Sequence, residues 1–174
     1  MQIKTFNSFH PEHATLYEQI LNLTKPINDT YPQYTKWFMK KFIPGLKKKE
    51  RMYIVAQDND NTLAGCVLIK NTQEEKKICT IFVDPKFRRR GLGKKLMSQA
   101  LTELGEHPLI TVSSRNLPSL SPLLKQYGFH LSAAKKCAYN SEDVEYYFND
   151  QQADAIKDKL IPVLIQRMRQ LRQK

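Results

Sequence analysis

Two glycines and a run of cations between residues 86 and 95 form the segment of this sequence with the clearest chemistry. Gly91 and Gly93 are separated by one residue, and apolar residues after them recur at helical spacing as far as Leu104. The glycines therefore lie where a helix begins, and the first N–H groups of a helix have no partner within it. The ten residues contain no acid and six cations: Lys86, Arg88, Arg89, Arg90, Lys94 and Lys95. This combination predicts a binding site for a pyrophosphate.

Spacing excludes two other glycine-containing phosphate loops. The P-loop requires Gly-x-x-x-x-Gly-Lys-Ser/Thr, and this segment has neither that spacing nor the hydroxyl. The dinucleotide fingerprint Gly-x-Gly-x-x-Gly requires a third glycine at the position that Leu96 occupies.

The segment resembles the pyrophosphate loop of the GNAT superfamily of N-acetyltransferases, whose pattern is Q/R-x-x-G-x-G/A. Arg88, Gly91 and Gly93 occupy its fixed positions. The residues at 83–87 (VDPKF) are similar to the family's V-x-P-x-[YF] lead-in, and a downstream Tyr-Gly-Phe at 127–129 also fits. The resemblance extends from the first predicted strand to about Phe148, which leaves the last predicted helix as an addition.

The resemblance implies acetyl-CoA as the acyl donor, bound in a cleft where two parallel strands separate, and it implies no metal. Carried over to this sequence, the strand before the loop would offer main-chain groups to the pantetheine and the thioester: Ile81, Phe82 and Val83. The loop would hold the pyrophosphate: Arg88, Arg89, Arg90, Gly91, Leu92, Gly93 and Lys94. Asn116 follows the next strand, near the position where relatives place an asparagine that contacts the cofactor.

The implied reaction is direct attack of a neutral amine on the thioester, which requires a base, and an acid for the departing thiolate. The family's usual acid is a tyrosine four residues before the Gly-Phe pair, and this sequence has Leu124 there. Tyr127 is the substitute that we select, with a packing role as its alternative. Glu75 is the selected base, because the two-residue strand period places it on one face with Lys77; an exposed turn residue, with water as the base, is the alternative.

In this family the acceptor cleft is formed partly by the first two helices and their connection. The corresponding segment, residues 27–42, contains three candidate acceptor-binding aromatic residues: Tyr31, Tyr34 and Trp37. Aromatic rings can line an apolar or cation-accepting pocket, whereas their helical spacing fits core packing equally well.

The elements that must position these residues follow from periodicity and turn signals. Strands are predicted at 3–6, 52–56, 63–69, 77–83, 109–112, 129–139 and 144–148. Helices are predicted at 10–25, 33–42, 91–104 and 121–127, with Pro44-Gly45 ending the second. A mixed α/β fold follows, with a right-handed parallel crossover around the glycine loop. The resemblance makes the central sheet mostly antiparallel, with one splayed parallel pair. Residues 1–149 form the predicted acetyltransferase domain, and 150–174 a basic amphipathic helical extension that Pro162 kinks.

Composition excludes several classes of protein. The chain has 174 residues, a mass of 20.3 kDa and a net charge of +11. Its longest uncharged apolar run, from Leu63 to Ile69, is far short of the ~20 residues of a membrane span. The three cysteines show no C-x-x-C spacing, which disfavours a disulfide scaffold or zinc finger and predicts a cytoplasmic protein.

The predicted function is acetyl transfer from acetyl-CoA to a primary amine of a small molecule or protein. Three alternatives stay open: an aminoacyl-tRNA-acetylating, toxin-like enzyme, a non-catalytic CoA sensor, and a nucleic-acid-binding protein. The high charge supports nucleic acid as a partner, but interleaved exposed aromatic residues and a binding motif are missing. The apolar stripe of the last helix is compatible with a homodimer.

Overall fold

One seven-stranded sheet organises the chain, in the order β1-β2-β3-β4-β5-β7-β6. The computed structural model describes residues 1–105, 107–136, 138, 142–157 and 162. The strands are β1 (Gln2–Phe6), β2 (Arg51–Gln57), β3 (Leu63–Asn71), β4 (Lys76–Val83), β5 (Leu109–Ser113), β6 (Leu131–Lys136) and β7 (Val144–Phe148). Neighbouring strands are antiparallel except β4 and β5, which are parallel. The mixed, mostly antiparallel sheet with one parallel pair is confirmed.

Helices cover the two faces of this sheet: α1 (Ala14–Leu23), α2 (Tyr34–Trp37), α3 (Ile43–Lys47), α4 (Leu92–Leu104) and α5 (Leu117–Gln126). Alternation along the strands sends neighbouring side chains to opposite faces, so Tyr53 packs beneath α1–α3 and Ile54 beneath α4 and α5. Both are fully buried. Burying a large apolar side chain contributes about 1.5–3 kcal/mol, and the two cores hold the helices in fixed positions on the sheet.

The parallel pair β4–β5 separates after two registered residue pairs, Lys77 with Leu109 and Ile78 with Ile110. By contrast, β4 stays paired with β3 as far as Val83. The register between β3 and β4 shifts next to Ile78, where Cys79 is an extra residue in β4. Such a bulge bends its strand and increases the local twist, which accounts for the departure of β4 from β5 at this point. The result is a split between the two strands.

The prediction that Pro44-Gly45 ends the second helix is wrong. The helical segment runs from α2 through a π-helical turn (Phe38–Phe42) into α3, which ends at Lys47. In the π-helical turn the Ile43 N–H donates to the carbonyl of Phe38, five residues earlier. Pro44 then lies in the first turn of α3, where a missing N–H costs no hydrogen bond.

Other element ends also differ from the prediction. The first helix begins as a 3-10 turn (Pro11–His13), and α5 begins at Leu117 rather than at residue 121. Pro118 occupies the first turn of α5, a position that favours proline. The sixth strand starts at Leu131, two residues later than predicted, because the chain first turns at Gly128 (φ +70°). Beyond 157, the predicted C-terminal extension lies outside the described residues, apart from Pro162.

Candidate active site

The loop between β4 and α4 is held in shape by its own side chains. An Asp84 carboxylate oxygen accepts the Lys86 N–H at 2.8 Å, which caps a short 3-10 turn (Pro85–Phe87). The Arg88 Nε donates to the carbonyl of Val83 at 2.9 Å, and its guanidinium lies 5.6 Å from the ring centre of Phe82. Arg88 therefore ties the loop to the end of β4.

Six consecutive main-chain N–H groups in this loop, those of residues 89–94, donate to no acceptor among the described residues. The first hydrogen bond of the helix runs from Lys95 N–H to the carbonyl of Gly91. Arg89 and Gly91 have φ values of +60° and +76°. Left-handed residues between right-handed or extended ones turn successive N–H groups toward one side, which creates a concave anion site. A Cβ at Gly91 would have no atom within 4 Å, so the loop is open.

The side chains around these amides add positive charge. Arg89, Arg90, Lys94 and Lys95 are exposed, and no carboxylate of the described residues lies within 4 Å of them. The structure therefore brings together the residues predicted to hold the pyrophosphate. Gly93 lies in the first turn of α4, facing Leu123 of α5 at 4.0 Å from its ideal Cβ position.

The split between β4 and β5 opens beside this loop. Ile81, Phe82 and Val83 lie in the part of β4 that has separated from β5, where the edge facing β5 has no registered partner in the described chain. Asn116 is the N-cap residue of α5, on the other side of the split. Its main-chain N–H donates to the carbonyl of Ser113 at 3.0 Å. Its side chain is exposed.

Tyr127 lies at the end of α5, and its hydroxyl donates to the carbonyl of Lys94 at 2.9 Å. This bond ties the end of α5 to the first turn of α4, next to the open amides. Leu124, at the position of the family's usual tyrosine, is 1% exposed and belongs to the core beneath α4 and α5. Leu124 therefore contributes packing.

Glu75 lies in the turn before β4, directly ahead of the first strand residue. Its carboxylate binds Lys70 Nζ at 2.8 Å. Six residues separate it from Ile81, or about 20 Å at ~3.3 Å per strand residue. The structure does not bring Glu75 to the split.

Two of the three predicted acceptor-binding aromatic residues belong to the core beneath α1–α3. Tyr34 is 6% exposed, and its hydroxyl is 3.4 Å from the Thr80 hydroxyl of β4. Trp37 is half-buried, with the Arg51 guanidinium 5.5 Å from its ring centre. Both contacts hold the α2 segment to the sheet.

Tyr31 is the predicted aromatic residue that reaches the split. Its hydroxyl accepts the Ser113 N–H of β5 at 3.0 Å and donates to the carboxylate of Glu145, with the two oxygens at 3.1 and 3.2 Å. Glu145 belongs to β7 and is 2% exposed. Burial raises the pKa of both groups, and the negative charge of Glu145 raises that of Tyr31 further.

Glu145 is not among the site residues predicted from the sequence. The signal was present in the strand VEYYF, where one carboxylate stands among apolar and aromatic residues. A charged side chain in such a strand is expected to be exposed, whereas Glu145 is buried with the Tyr31 hydroxyl on its carboxylate.

A family model described as an acetyltransferase (GNAT) domain matches residues 22–147, which is most of the chain. The chain belongs to the GNAT acetyltransferase family. The matched range contains both the loop with the six open amides and the split beside it. No curated protein matches the sequence significantly.

Solved structures share the GNAT fold at low sequence identity. An aminoglycoside 6'-N-acetyltransferase complexed with coenzyme A matches with a TM-score of 0.64 at 12% identity, over 85% of this chain and 95% of that one. A ribosomal-protein alanine N-acetyltransferase from Escherichia coli matches with a TM-score of 0.63 at 16% identity, over 84% and 92%. A nourseothricin acetyltransferase matches with a TM-score of 0.52 at 23% identity, over 59% of this chain and 65% of that one, so this GNAT chain spans less than two thirds of its length.

Within the described ranges, none of the helices combines the length and the apolar character needed to cross a bilayer.

Proposed function

We propose that this GNAT protein binds acetyl-CoA and transfers its acetyl group to a primary amine of a small molecule or protein. The observation that carries the proposal is the row of six open N–H groups at residues 89–94, beside the split in the sheet. An anion bound by such amides gains hydrogen bonds and the favourable end of the α4 dipole. The pyrophosphate of coenzyme A matches this site in charge and can accept several N–H groups at once.

The same proposal gives the main-chain groups of β4 a role. Ile81, Phe82 and Val83 would bind the pantetheine arm, because their edge toward β5 has lost its strand partner. Acetyl-CoA supplies the activated acyl group. A main-chain N–H of β4 near the thioester would stabilise the negative charge that develops on the carbonyl oxygen. The exposed cations Arg89, Arg90 and Lys94 would add attraction for the phosphates.

Calorimetric titration of acetyl-CoA into the wild type and two glycine variants tests this proposal. Gly91→Ala and Gly128→Ala are matched, because both glycines have positive φ (+76° and +70°) and no atom within 4 Å of an added Cβ. Both variants should lose about 1 kcal/mol of stability from the left-handed conformation. Only Gly91→Ala changes the row of open amides, so it alone should weaken acetyl-CoA binding, by at least about tenfold or 1.4 kcal/mol.

Each result of the titration has a defined meaning. No acetyl-CoA binding to the folded wild type refutes the proposal. Equal affinity of the two glycine variants shows that the pyrophosphate binds elsewhere. Binding without thiol release in the presence of amines supports the CoA-sensor alternative and refutes the enzyme.

A further inference from the structure

The contact of Tyr31 with Glu145 places a buried carboxylate at the split, on the face covered by α1–α3. Ser114 N–H donates to the carbonyl of Val144 on β7 at 2.8 Å. Because successive N–H groups of a strand point to opposite sides, Ser113 N–H points away from β7 and into the split. There it meets the hydroxyl of Tyr31, which in turn donates to Glu145.

Strand register places this group beside the expected thioester. Ile78 pairs with Ile110, and Cys79 is an extra residue in β4, so further along these parallel strands Phe82 is roughly level with Ser113. Ser113 in turn pairs with Glu145 across β5 and β7. Glu145 is therefore at the height of the main-chain groups proposed to bind the thioester, whereas Glu75 is about 20 Å from them.

The charges that face Glu145 leave its carboxylate without a cation. No lysine or arginine nitrogen of the described residues lies within 4 Å of it. Hydrogen bonds to Thr111 and Tyr31 lower the pKa of Glu145, Lys77 of β4 lowers it further at longer range, and Asp143, just before β7, raises it. Lys135 of β6, its register partner, has its Nζ 4.7 Å from the ring centre of Tyr147. A buried carboxylate without a cation is costly to the fold, and a bound ammonium group would compensate it.

We propose that Glu145 binds the ammonium group of the acceptor, accepts one proton from it and restricts acceptors to unbranched primary alkyl amines. This inference rests on the proposed function. Because Glu145 is 2% exposed, only a slim group at the end of a chain can reach its carboxylate. A weakly basic aromatic amine carries no charge at neutral pH and gains nothing from the carboxylate.

The proton and electron balance of this step is simple. One ammonium proton moves to the Glu145 carboxylate, and the freed nitrogen lone pair forms a bond to the thioester carbonyl carbon. The C–S bond breaks, its electron pair stays on the sulfur of CoA, and the thiolate takes the second proton that the nitrogen loses. Glu145 returns its proton to solvent. Burial suits the carboxylate to this role, because a base with a raised pKa holds the proton more strongly.

Tyr31 acts as a positioning residue in this arrangement. Its hydroxyl contacts both Glu145 oxygens and is itself fixed by Ser113 N–H. The hydroxyl keeps its own proton, since burial raises the pKa of Tyr31 well above neutral.

The test measures CoA thiol release from acetyl-CoA with four amines: hexylamine, spermidine, cyclohexylamine and aniline. The wild type should acetylate the first two and neither of the others. Glu145→Gln should lower kcat/KM by at least about 100-fold, the usual minimum for loss of a general base. It should also remove the decline of kcat/KM that protonation of Glu145 causes at low pH, while acetyl-CoA affinity stays within about threefold of wild type.

Controls separate this role from a structural one. Glu103→Gln removes a partly buried carboxylate of α4 that accepts a hydrogen bond from Gln99 at 2.9 Å, and it should leave kcat/KM unchanged. Tyr17→Phe removes a hydroxyl that accepts a main-chain N–H, from His10 at 2.9 Å, just as Tyr31 accepts that of Ser113. Tyr31→Phe should lower kcat with little change in the KM for acetyl-CoA, and Tyr17→Phe should not.

Unfolding of the variant provides a readout that needs no acceptor. The pKa of Glu145 is higher in the folded protein than in the unfolded chain. The protonated carboxyl therefore stabilises the fold fully at a pH below the unfolded pKa, and this stability is lost as the pH rises through the folded pKa. Glu145→Gln should therefore be at least as stable as wild type at pH 8.

Retention of wild-type kcat/KM and pH dependence by Glu145→Gln overturns the inference. So does acetylation of aniline or cyclohexylamine as efficient as that of hexylamine, or acetyl-CoA binding without turnover of any alkyl amine. Glu145→Gln less stable than wild type at pH 8 likewise overturns it, because the carboxylate would then be structural. Failure of the wild type to bind acetyl-CoA refutes the proposed function instead.

Discussion

At the scale of single residues, the sequence left two roles open for Tyr127, that of the acid for the CoA thiolate and that of a packing residue. The contact of its hydroxyl decides which of them we predict. If the hydroxyl protonates the CoA thiolate, Tyr127→Phe should lower kcat by about 100-fold or more with little effect on acetyl-CoA affinity. The structure engages this hydroxyl with the carbonyl of Lys94, beside the open amides. We therefore predict the other outcome, in which acetyl-CoA affinity falls about threefold to tenfold, as expected from loss of one hydrogen bond of about 1 kcal/mol.

Steady-state kinetics with both substrates varied, together with calorimetry, separates these outcomes. Leu124→Tyr is an informative companion variant, because it restores the family's usual residue. Leu124 is 1% exposed, so a larger polar side chain there should overpack the core and destabilise the fold by about 1–3 kcal/mol. An unchanged acetyl-CoA affinity with a much lower kcat in Tyr127→Phe would show that Tyr127 is the acid.

The glycine loop could be predicted from the identity and spacing of its residues, whereas the carboxylate of Glu145 at the split could not. The loop is local: Arg88, Gly91 and Gly93 lie within six residues, and a helix start follows them. Glu145 meets Tyr31 across 114 residues of sequence. Its position depends on the pairing of β5 with β7 and on the path of the Tyr31 segment, neither of which periodicity reveals.

At the scale of elements, the strand and helix order was predicted correctly, whereas the feature that opens the site was not. Periodicity and turn signals indicated β2, β3 and β4. The bulge at Cys79 has no signal of its own, because it arises from how β4 registers against β3. The helix through Pro44 was missed for a similar reason, since only a π-helical turn makes the proline harmless.

Packing of α4 on the sheet depends on Gly65 of β3. A Cβ at this glycine would lie 2.9 Å from the Phe82 carbonyl oxygen and 2.9 Å from Leu96 of α4. Since the first of these contacts is main chain, Gly65→Ala must displace β4 or α4. We predict a loss of about 1–3 kcal/mol in the free energy of unfolding, measured by denaturant titration.

Gly93→Ala serves as the comparison within α4. Its Cβ would lie 4.0 Å from Leu123, an ordinary contact, and alanine favours a helix over glycine by up to about 1 kcal/mol. It should therefore keep or raise the stability. A stable Gly65→Ala variant would show that α4 is not seated against β3 as the structure has it.

At the scale of the whole molecule, the excess of positive charge is concentrated where the proposed anionic substrate enters. Six of the 28 lysines and arginines lie within residues 86–95, at the opening of the α4 amides. Acetyl-CoA is a polyanion, so this concentration would steer it to the loop. These six cations correspond to just over half of the net charge of +11, and that part requires no nucleic acid as a partner.

This steering predicts that ionic strength controls the rate at which acetyl-CoA associates. The Debye length falls from about 30 Å at 0.01 M salt to about 8 Å at 0.15 M, so the association rate constant should drop by about tenfold or more over this range, measured by stopped-flow fluorescence. Arg89→Gln combined with Arg90→Gln should flatten this dependence. Lys40→Gln combined with Lys41→Gln removes the same charge from the π-helical turn before α3, and it should preserve the salt dependence because these lysines lie outside the loop. If both double variants respond to salt alike, only the total charge of the protein matters, and the cations of the loop have no local role in capturing the coenzyme.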